Sequence, residues 1–127
     1  MRGKISIFLM VVLIVGFCIA GAQAKKEDKP AYARLTTIQA KIESFDEMVK
    51  LFSESIVPAA KSQKGYLGIL LLTDRTTGKA ISISIWESEE DVIANEKSGY
   101  YQEQVAKFIG YFTAPPVREG YEVSVKD

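Results

Sequence analysis

Histidine is absent from this 127-residue sequence, and cysteine occurs once, as Cys18. Histidine is the side chain most used as a general base near neutral pH and the commonest transition-metal ligand, so other residues would have to fill those roles. One cysteine cannot form an internal disulfide, so an exported domain would depend on its core, on oligomerisation, or on both. We therefore predict no metal site and no cofactor.

An excess of charge is also absent, since the chain has 16 basic and 16 acidic side chains. Two of the basic residues, Arg2 and Lys4, and none of the acidic residues lie in residues 1–24, so the remainder carries a formal charge of −2. That balance gives no field that would attract nucleic acid or anionic lipid. We predict no nucleic-acid partner and, after removal of residues 1–24, no membrane partner.

The long hydrophobic run of the sequence lies near the N-terminus, where residues 5–20 are almost wholly apolar behind Arg2 and Lys4. Ala22-Gln23-Ala24 then supplies the small residues of a cleavage site, as is typical of an export signal. This pattern predicts a periplasmic or secreted protein. An uncleaved N-terminal membrane anchor is the alternative, because residues 5–22 approach the length that spans a bilayer. The predicted organisation is a signal peptide over 1–24, a flexible leader over 25–30 and one domain over 31–127.

The pattern of residues 31–127 predicts the order strand, helix, strand, strand, helix, strand. This order favours an α+β fold of the ferredoxin-like split βαββαβ type, in which both helices cover one face of a four-stranded antiparallel sheet. The strands are expected over 31–41, 66–73, 80–86 and 117–125. The helices are expected from a capping box at Ser44 to about Gly65, with a bend or end at Pro58, and from Ser88 to about Phe112, with a break at Ser98-Gly99.

The third predicted strand alternates between two kinds of side chain and then changes abruptly into a helix start. Ile81, Ile83 and Ile85 point to one face, and Ser82, Ser84 and Trp86 to the other. Ser88 is a good N-cap, and the acidic residues 89–91 suit the first turn of a helix. Trp86 therefore ends a strand beside a helix N-terminus, where a pocket can form.

The second predicted strand is apolar on both of its faces over Ile69-Leu70-Leu71-Leu72. Two helices can cover only one face of such a sheet, and a contiguous apolar strip on the other face marks an interface. We therefore predict a homodimer in which two sheets pack face to face.

Several short motifs, in this order and spacing, resemble the antibiotic biosynthesis monooxygenase domain family over most of residues 32–125. They are Arg34-Leu35-Thr36, Pro58-Ala59-Ala60 with Gly65-Tyr66, Leu70-Leu71-Leu72-Thr73-Asp74-Arg75, Trp86-Glu87-Ser88-Glu89, Ser98-Gly99-Tyr100-Tyr101 and Tyr121-Glu122-Val123. The resemblance implies a dimeric α+β barrel with a pocket between the sheet and the helices of each subunit.

The family resemblance implies several activities, which include cofactor-independent oxygenation of aromatic or quinol-like compounds and haem degradation. Haem-degrading members use an axial histidine and an asparagine in the first strand, whereas this chain has no histidine and carries Ala33 at that point. Oxygenase members use an asparagine on the strand of the tryptophan, and Ser82 stands four residues before Trp86. Haem degradation is therefore disfavoured, and the missing asparagine counts against the oxygenase role as well.

Within this resemblance, the candidate site surrounds the strand-end tryptophan. The candidate catalytic residues are Trp86, Tyr101 and Glu87, the last as a carboxylate base with a raised pKa. The candidate substrate-binding residues are Arg34, Tyr100, Phe108 and Arg118, with the arginines as anion clamps. The structural alternatives are that Trp86 is a core residue, that Tyr100-Tyr101 attach a helix to the sheet, and that Arg34 and Arg118 pair with Glu119 and Glu122 across strands.

Two classes of function follow from these residues. The first is an exported, cofactor-independent monooxygenase that acts on a small quinol-like or aromatic compound. The second is a non-catalytic module that binds a small hydrophobic ligand or serves as a dimeric interaction domain.

Overall fold

The computed structural model describes residues 29–127. The predicted signal peptide and most of the predicted leader lie outside the described residues. The elements, in chain order, are β1 (Tyr32–Gln39), a 3₁₀ turn (Ile42–Ser44), α1 (Phe45–Leu51), a π-helical segment (Phe52–Ile56), α2 (Val57–Lys61), β2 (Tyr66–Asp74), β3 (Lys79–Trp86), α3 (Glu89–Lys97), α4 (Tyr100–Ala106), a second 3₁₀ turn (Ile109–Tyr111) and β4 (Val117–Glu122).

The four strands form one antiparallel sheet in the order β2-β3-β1-β4. This topology confirms the predicted ferredoxin-like α+β fold. The two central strands place Arg34 of β1 opposite Ser84 of β3, while Gly120 of β4 lies on the other side of Arg34. Arg34 therefore lies in the middle of the sheet, on the face that the helices cover. In the described part of the chain, no helix is both long enough and apolar enough to cross a membrane.

The two faces of the sheet differ in a way that the predicted alternation of β3 anticipated. Ser82, Ser84 and Trp86 lie on the covered face, and Ile81, Ile83 and Ile85 lie on the other, which we call the open face. Leu70 and Leu72 of β2 are opposite Ile83 and Ile81 on that open face, where they are 41% and 48% exposed. Strand β3 thus turns polar side chains and Trp86 towards the helices, and the open face of the sheet is apolar and uncovered.

The helix after β1 begins differently from the prediction and continues past Pro58 to Lys61. Ser44 makes no side-chain cap bond, because the preceding 3₁₀ turn has already put its backbone near the helical region, with φ −95° and ψ −2°. The predicted capping box is therefore wrong. Pro58 does not end the helix, since a π-helical segment, in which the Val57 N–H bonds to the Phe52 carbonyl, precedes it. The apolar stripe of α1 and the π-helical segment consists of Phe45, Met48, Phe52 and Ile56. These side chains pack against Ile38 and Ala80 of the sheet.

The start of α3 follows the prediction. Ser88 has an extended backbone, and its Oγ accepts a hydrogen bond from the Asp91 N–H at 3.3 Å. Gly65, with φ +84°, packs against this turn so closely that a Cβ there would overlap the Asp91 carboxylate. Its carbonyl accepts a hydrogen bond from the Glu87 N–H at 2.8 Å. The turn before β2 and the N-terminus of α3 are therefore fixed to each other.

Candidate functional site

A cavity of about 60 Å³ lies between the covered face of the sheet and the helices. Its body is apolar, and one end is polar, with the hydroxyl groups and the guanidinium coming mainly from β1, β3 and α4. The apolar lining consists of Ile38, Met48, Phe52, Ile56, Ile69, Leu71, Val105, Phe108 and Phe112. The polar and amphipathic lining consists of Arg34, Thr36, Ser82, Ser84, Trp86, Tyr100, Tyr101 and Gln104.

Arg34 is the charged residue of this cavity and is only 5% exposed. Its Nη1 donates hydrogen bonds to Asn95 Oδ1 at 2.6 Å and to Glu96 Oε2 at 3.3 Å, both on α3. Burial lowers the pKa of the Arg34 guanidinium, and Glu96 opposes that shift. Arginine keeps its charge in proteins, so the polar end of the cavity is cationic.

Two aromatic rings stack with Arg34. Its guanidinium carbon lies 4.3 Å from the centre of the Tyr101 ring and 5.6 Å from that of Trp86, within the range of cation–π attraction. The Tyr101 hydroxyl and Thr36 Oγ1 share a hydrogen bond at 2.9 Å. The Trp86 Nε1–H donates to Ser84 Oγ at 2.8 Å. These contacts fix the position of both rings at the polar end.

The break between α3 and α4 brings the two tyrosines to the cavity. Gly99 adopts the left-handed backbone, with φ +87°, and the chain restarts as α4 at Tyr100. This confirms the predicted break at Ser98-Gly99. Burial raises the pKa of Tyr100, with Arg34 opposing the shift, so Tyr100 is a neutral phenol that can donate a hydrogen bond.

Five of the seven predicted site residues line the cavity: Arg34, Trp86, Tyr100, Tyr101 and Phe108. Trp86 is also fully buried, so it is both a core residue and a cavity wall. Glu87 is exposed and is not part of the lining, because the chain leaves the strand after Trp86. The structure therefore does not bring this candidate base to the cavity.

Arg118 lies outside the cavity, beside Tyr101 and α3. Its guanidinium is 5.1 Å from the centre of the Tyr101 ring, and its Nε is 3.8 Å from Glu96 Oε2. Both arginines thus share the carboxylate of Glu96, and the predicted cross-strand pairing with Glu119 and Glu122 is wrong. One reason is that Glu119 is opposite Leu35 in the register and so belongs to the open face.

A polar groove of about 150 Å³ adjoins the cavity on the other side of Arg34. The groove is lined by Tyr32, Arg34, Glu89, Val92, Ile93, Glu96, Arg118, Glu119 and Gly120. Neither here nor elsewhere in residues 29–127 do three histidine, cysteine or acidic side chains come together as a metal-binding group.

Asn95 is the residue that the sequence analysis missed. It is 5% exposed, and its Nδ2 has no hydrogen-bond partner among the described residues. The available signal was its spacing from Val92, since residues three apart share one face of a helix, and both are buried on α3. Its Oδ1 orients the Arg34 guanidinium.

Comparison with known proteins identifies the family. The sequence model of the antibiotic biosynthesis monooxygenase family matches residues 31–107. The uncharacterized protein Rv2557 of Mycobacterium tuberculosis is 33% identical over 100 residues, which cover 78% of this chain and 43% of that protein. The chain thus spans less than half the length of this curated relative.

Solved structures share the fold at low identity. A monooxygenase from the gene ActVA-Orf6 of Streptomyces coelicolor, solved in complex with nanaomycin D, has a TM-score of 0.64 and 12% identity, covering 77% of this chain and 91% of that one. The protein NE2512 of Nitrosomonas europaea, of unknown function, has a TM-score of 0.64 and 15% identity, covering 80% and 96%. Together, the family match and the fold assign this chain: it belongs to the antibiotic biosynthesis monooxygenase family.

Proposed function

We propose that this protein is a cofactor-independent monooxygenase that oxidises a small, aromatic, quinol-like compound bound in the cavity. One observation carries the proposal: the covered face of the sheet presents Arg34, Thr36 and Ser84 to the interior, next to Trp86 and Tyr101. Polar groups cost free energy when they are buried, and a purely structural core would use apolar residues there. Family membership supports the same function.

The chemistry that fits this cavity draws its electrons from the substrate. A phenolate-type anion donates an electron to O₂, one oxygen atom becomes a new carbonyl of the product, and the other leaves as hydroxide with one hydrogen from the substrate. The protein has to hold the anion and exclude bulk water. Arg34 supplies the charge for the first task, and the apolar walls from Phe52, Val105 and Phe108 supply the second.

The test of this function is oxygen uptake with a panel of dihydroxyaromatics and quinols. Trp86→Phe and Tyr101→Phe should each lower turnover by about 10-fold or more, because each removes a polar contact at the reacting end. Tyr111→Phe is the matched control, since Tyr111 packs against Phe108 without lining the cavity. Uptake that stays at the buffer rate for every compound would contradict the proposal.

Binding without turnover is the second candidate function. Glu87, the predicted carboxylate base, lies outside the cavity, so a bound compound would meet no carboxylate there. Trp86 is the single tryptophan, so its fluorescence reports directly on occupancy. Saturable quenching by a panel compound without oxygen uptake would favour this second function.

We also propose that two copies of the chain pack through their open faces. The apolar side chains of this face include Leu70, Leu72 and Ile83, and unpartnered apolar strips of this kind mark interfaces. Leu70→Glu should convert a dimer to a monomer in sedimentation velocity experiments. Ile109→Glu is the control, because Ile109 is 64% exposed on the 3₁₀ turn away from this face. A wild-type monomer at micromolar concentration would contradict the dimer.

A further inference from the structure

Among residues 29–127, no side chain that accepts a proton near neutral pH lines the cavity. The lining from this part of the chain holds no aspartate, glutamate, lysine or histidine. The hydroxyls of Thr36 and Tyr101 bond to each other, and the Ser84 hydroxyl accepts from Trp86. Burial raises the pKa of Tyr100, which keeps its phenolic proton. The cavity therefore cannot remove a proton from a bound phenol by general-base catalysis.

Arg34 nevertheless offers the cavity a strong anion-binding group. Within residues 29–127, all of its hydrogen bonds come from Nη1, although a guanidinium has five N–H donors. One of its partners, Asn95, is neutral, and the other, Glu96, is shared with Arg118. A ligand oxygen with a full negative charge could therefore accept hydrogen bonds from the other N–H groups of Arg34.

The carboxylates near Arg34 all lie on the groove side, away from the cavity. The titratable and charged groups around Arg34 are Tyr32 on β1, Glu89 and Glu96 on α3, Tyr100 and Tyr101 on α4, and Arg118 on β4. A ligand in the cavity thus meets a cation and phenols, whereas the acids face solvent or the groove.

We infer that the substrate enters the cavity already ionised, as a compact single-ring phenolate or enolate that is acidic enough to be an anion at neutral pH. An ordinary phenol has a pKa of about 10, so only about one molecule in 1,000 is ionised at pH 7. A preference of the cavity for the anion of about 10- to 150-fold would still leave most of such a phenol neutral, and the cavity volume of about 60 Å³ disfavours polycyclic compounds. This inference rests on the proposed function and specifies its substrate class.

The reaction balances without a proton acceptor from the protein. The bound anion gives an electron to O₂, and the two radicals join to form a carbon–oxygen bond. The oxygen–oxygen bond then breaks, and hydroxide leaves with the hydrogen of that ring carbon. The products are a neutral quinone and hydroxide, so the product lacks the charge that Arg34 held. Loss of that charge would favour product release.

The test uses phenols with an increasing number of fluorine substituents, because acidity rises along this series while ring size changes little. Binding is followed by Trp86 fluorescence between pH 6 and 9. The anionic form should bind about 10- to 150-fold more tightly than the neutral form, the range for a hydrogen bond to a charged group. The pH dependence of affinity should follow the pKa of each ligand rather than one pKa common to all.

Variants at Arg34 test whether this residue causes the preference for the anionic ligand. Arg34→Met should abolish the preference for the anion, and Arg34→Lys, which keeps the charge in case Arg34→Met does not fold, should retain part of it. Arg75→Met is the charge-matched control, because Arg75 pairs with Asp46 at an exposed site. Equal affinity for acidic and non-acidic phenols in the wild-type protein, or an unchanged preference in Arg34→Met, would overturn the inference.

Oxygen uptake separates this inference from the function on which it rests. Anion-selective binding without uptake by any compound would refute the monooxygenase function and support the ligand class. Uptake with a non-acidic hydroquinone, as fast as with an acidic analogue, would support the function and overturn the inference.

Discussion

Asn95→Ala should destabilise the protein through its effect on Arg34. The substitution removes the acceptor that lies 2.6 Å from Arg34 Nη1 and leaves Glu96, at 3.3 Å, as the remaining hydrogen-bond partner. A hydrogen bond to a charged group contributes about 1.5–3 kcal/mol, so we expect a loss of about 2 kcal/mol in the free energy of unfolding. For a domain of this size, that loss lowers Tm by roughly 8–16 °C.

Asn95→Asp is the informative partner of this variant. It keeps an acceptor beside Arg34 and replaces Nδ2, which has no partner in the described residues, with a second oxygen. The added charge pair and its desolvation cost oppose each other. We therefore expect a free energy of unfolding within about 1 kcal/mol of wild type.

The assay is urea unfolding followed by Trp86 fluorescence at one fixed protein concentration, because association would shift the transition. A double-mutant cycle with Arg34→Met isolates the contact. In that background Asn95→Ala should cost less than about 0.5 kcal/mol, which gives a coupling energy of roughly 1.5 kcal/mol. A coupling energy indistinguishable from zero would refute the claim that Asn95 acts through Arg34.

Three further predictions concern the backbone, pH and processing. Gly99→Ala should lower the free energy of unfolding by about 1 kcal/mol in urea titrations, because φ is +87° there, and an unchanged midpoint would contradict this. Burial raises the pKa of Tyr100 above 10.0, so the folded state keeps this proton to higher pH than the unfolded chain does. The free energy of unfolding should therefore fall as pH rises above about 10, and Tyr100→Phe should make that decline shallower. Equal slopes for the variant and the wild-type protein would contradict this. Secreted protein should begin at Lys25 by intact mass, whereas an unprocessed chain in the membrane fraction would support the anchor.

Most of the fold could be predicted because its signals are local. The alternation of residues 81–86 separates the two faces of β3, and the positive φ of Gly99 ends one helix before the next begins. These patterns depend on residues two to four apart in the chain. The start of α1 was mispredicted for a related reason, since a 3₁₀ turn already occupied the backbone of Ser44.

The site was harder to predict because it depends on how α3 docks against the sheet. The contact between Arg34 and Asn95 joins residues 61 positions apart, and no local pattern encodes the angle of a docked helix. Glu87 follows Trp86 directly, so the alternation of β3 turns it away from the face of Trp86, and it is exposed to solvent. The family resemblance identified Trp86 as a site residue, but the packing of the folded chain determines which side chains surround it.

The close fit of Gly65 against Asp91 bears on how inactive variants of this protein should be interpreted. Any side chain at position 65 would push on the first turn of α3 and so shift Asn95, which the same helix carries towards Arg34. A random mutagenesis screen for lost ligand binding should therefore recover substitutions of Gly65 alongside those of cavity residues. In such a screen, distance from the cavity would be a poor guide to whether a residue matters for binding.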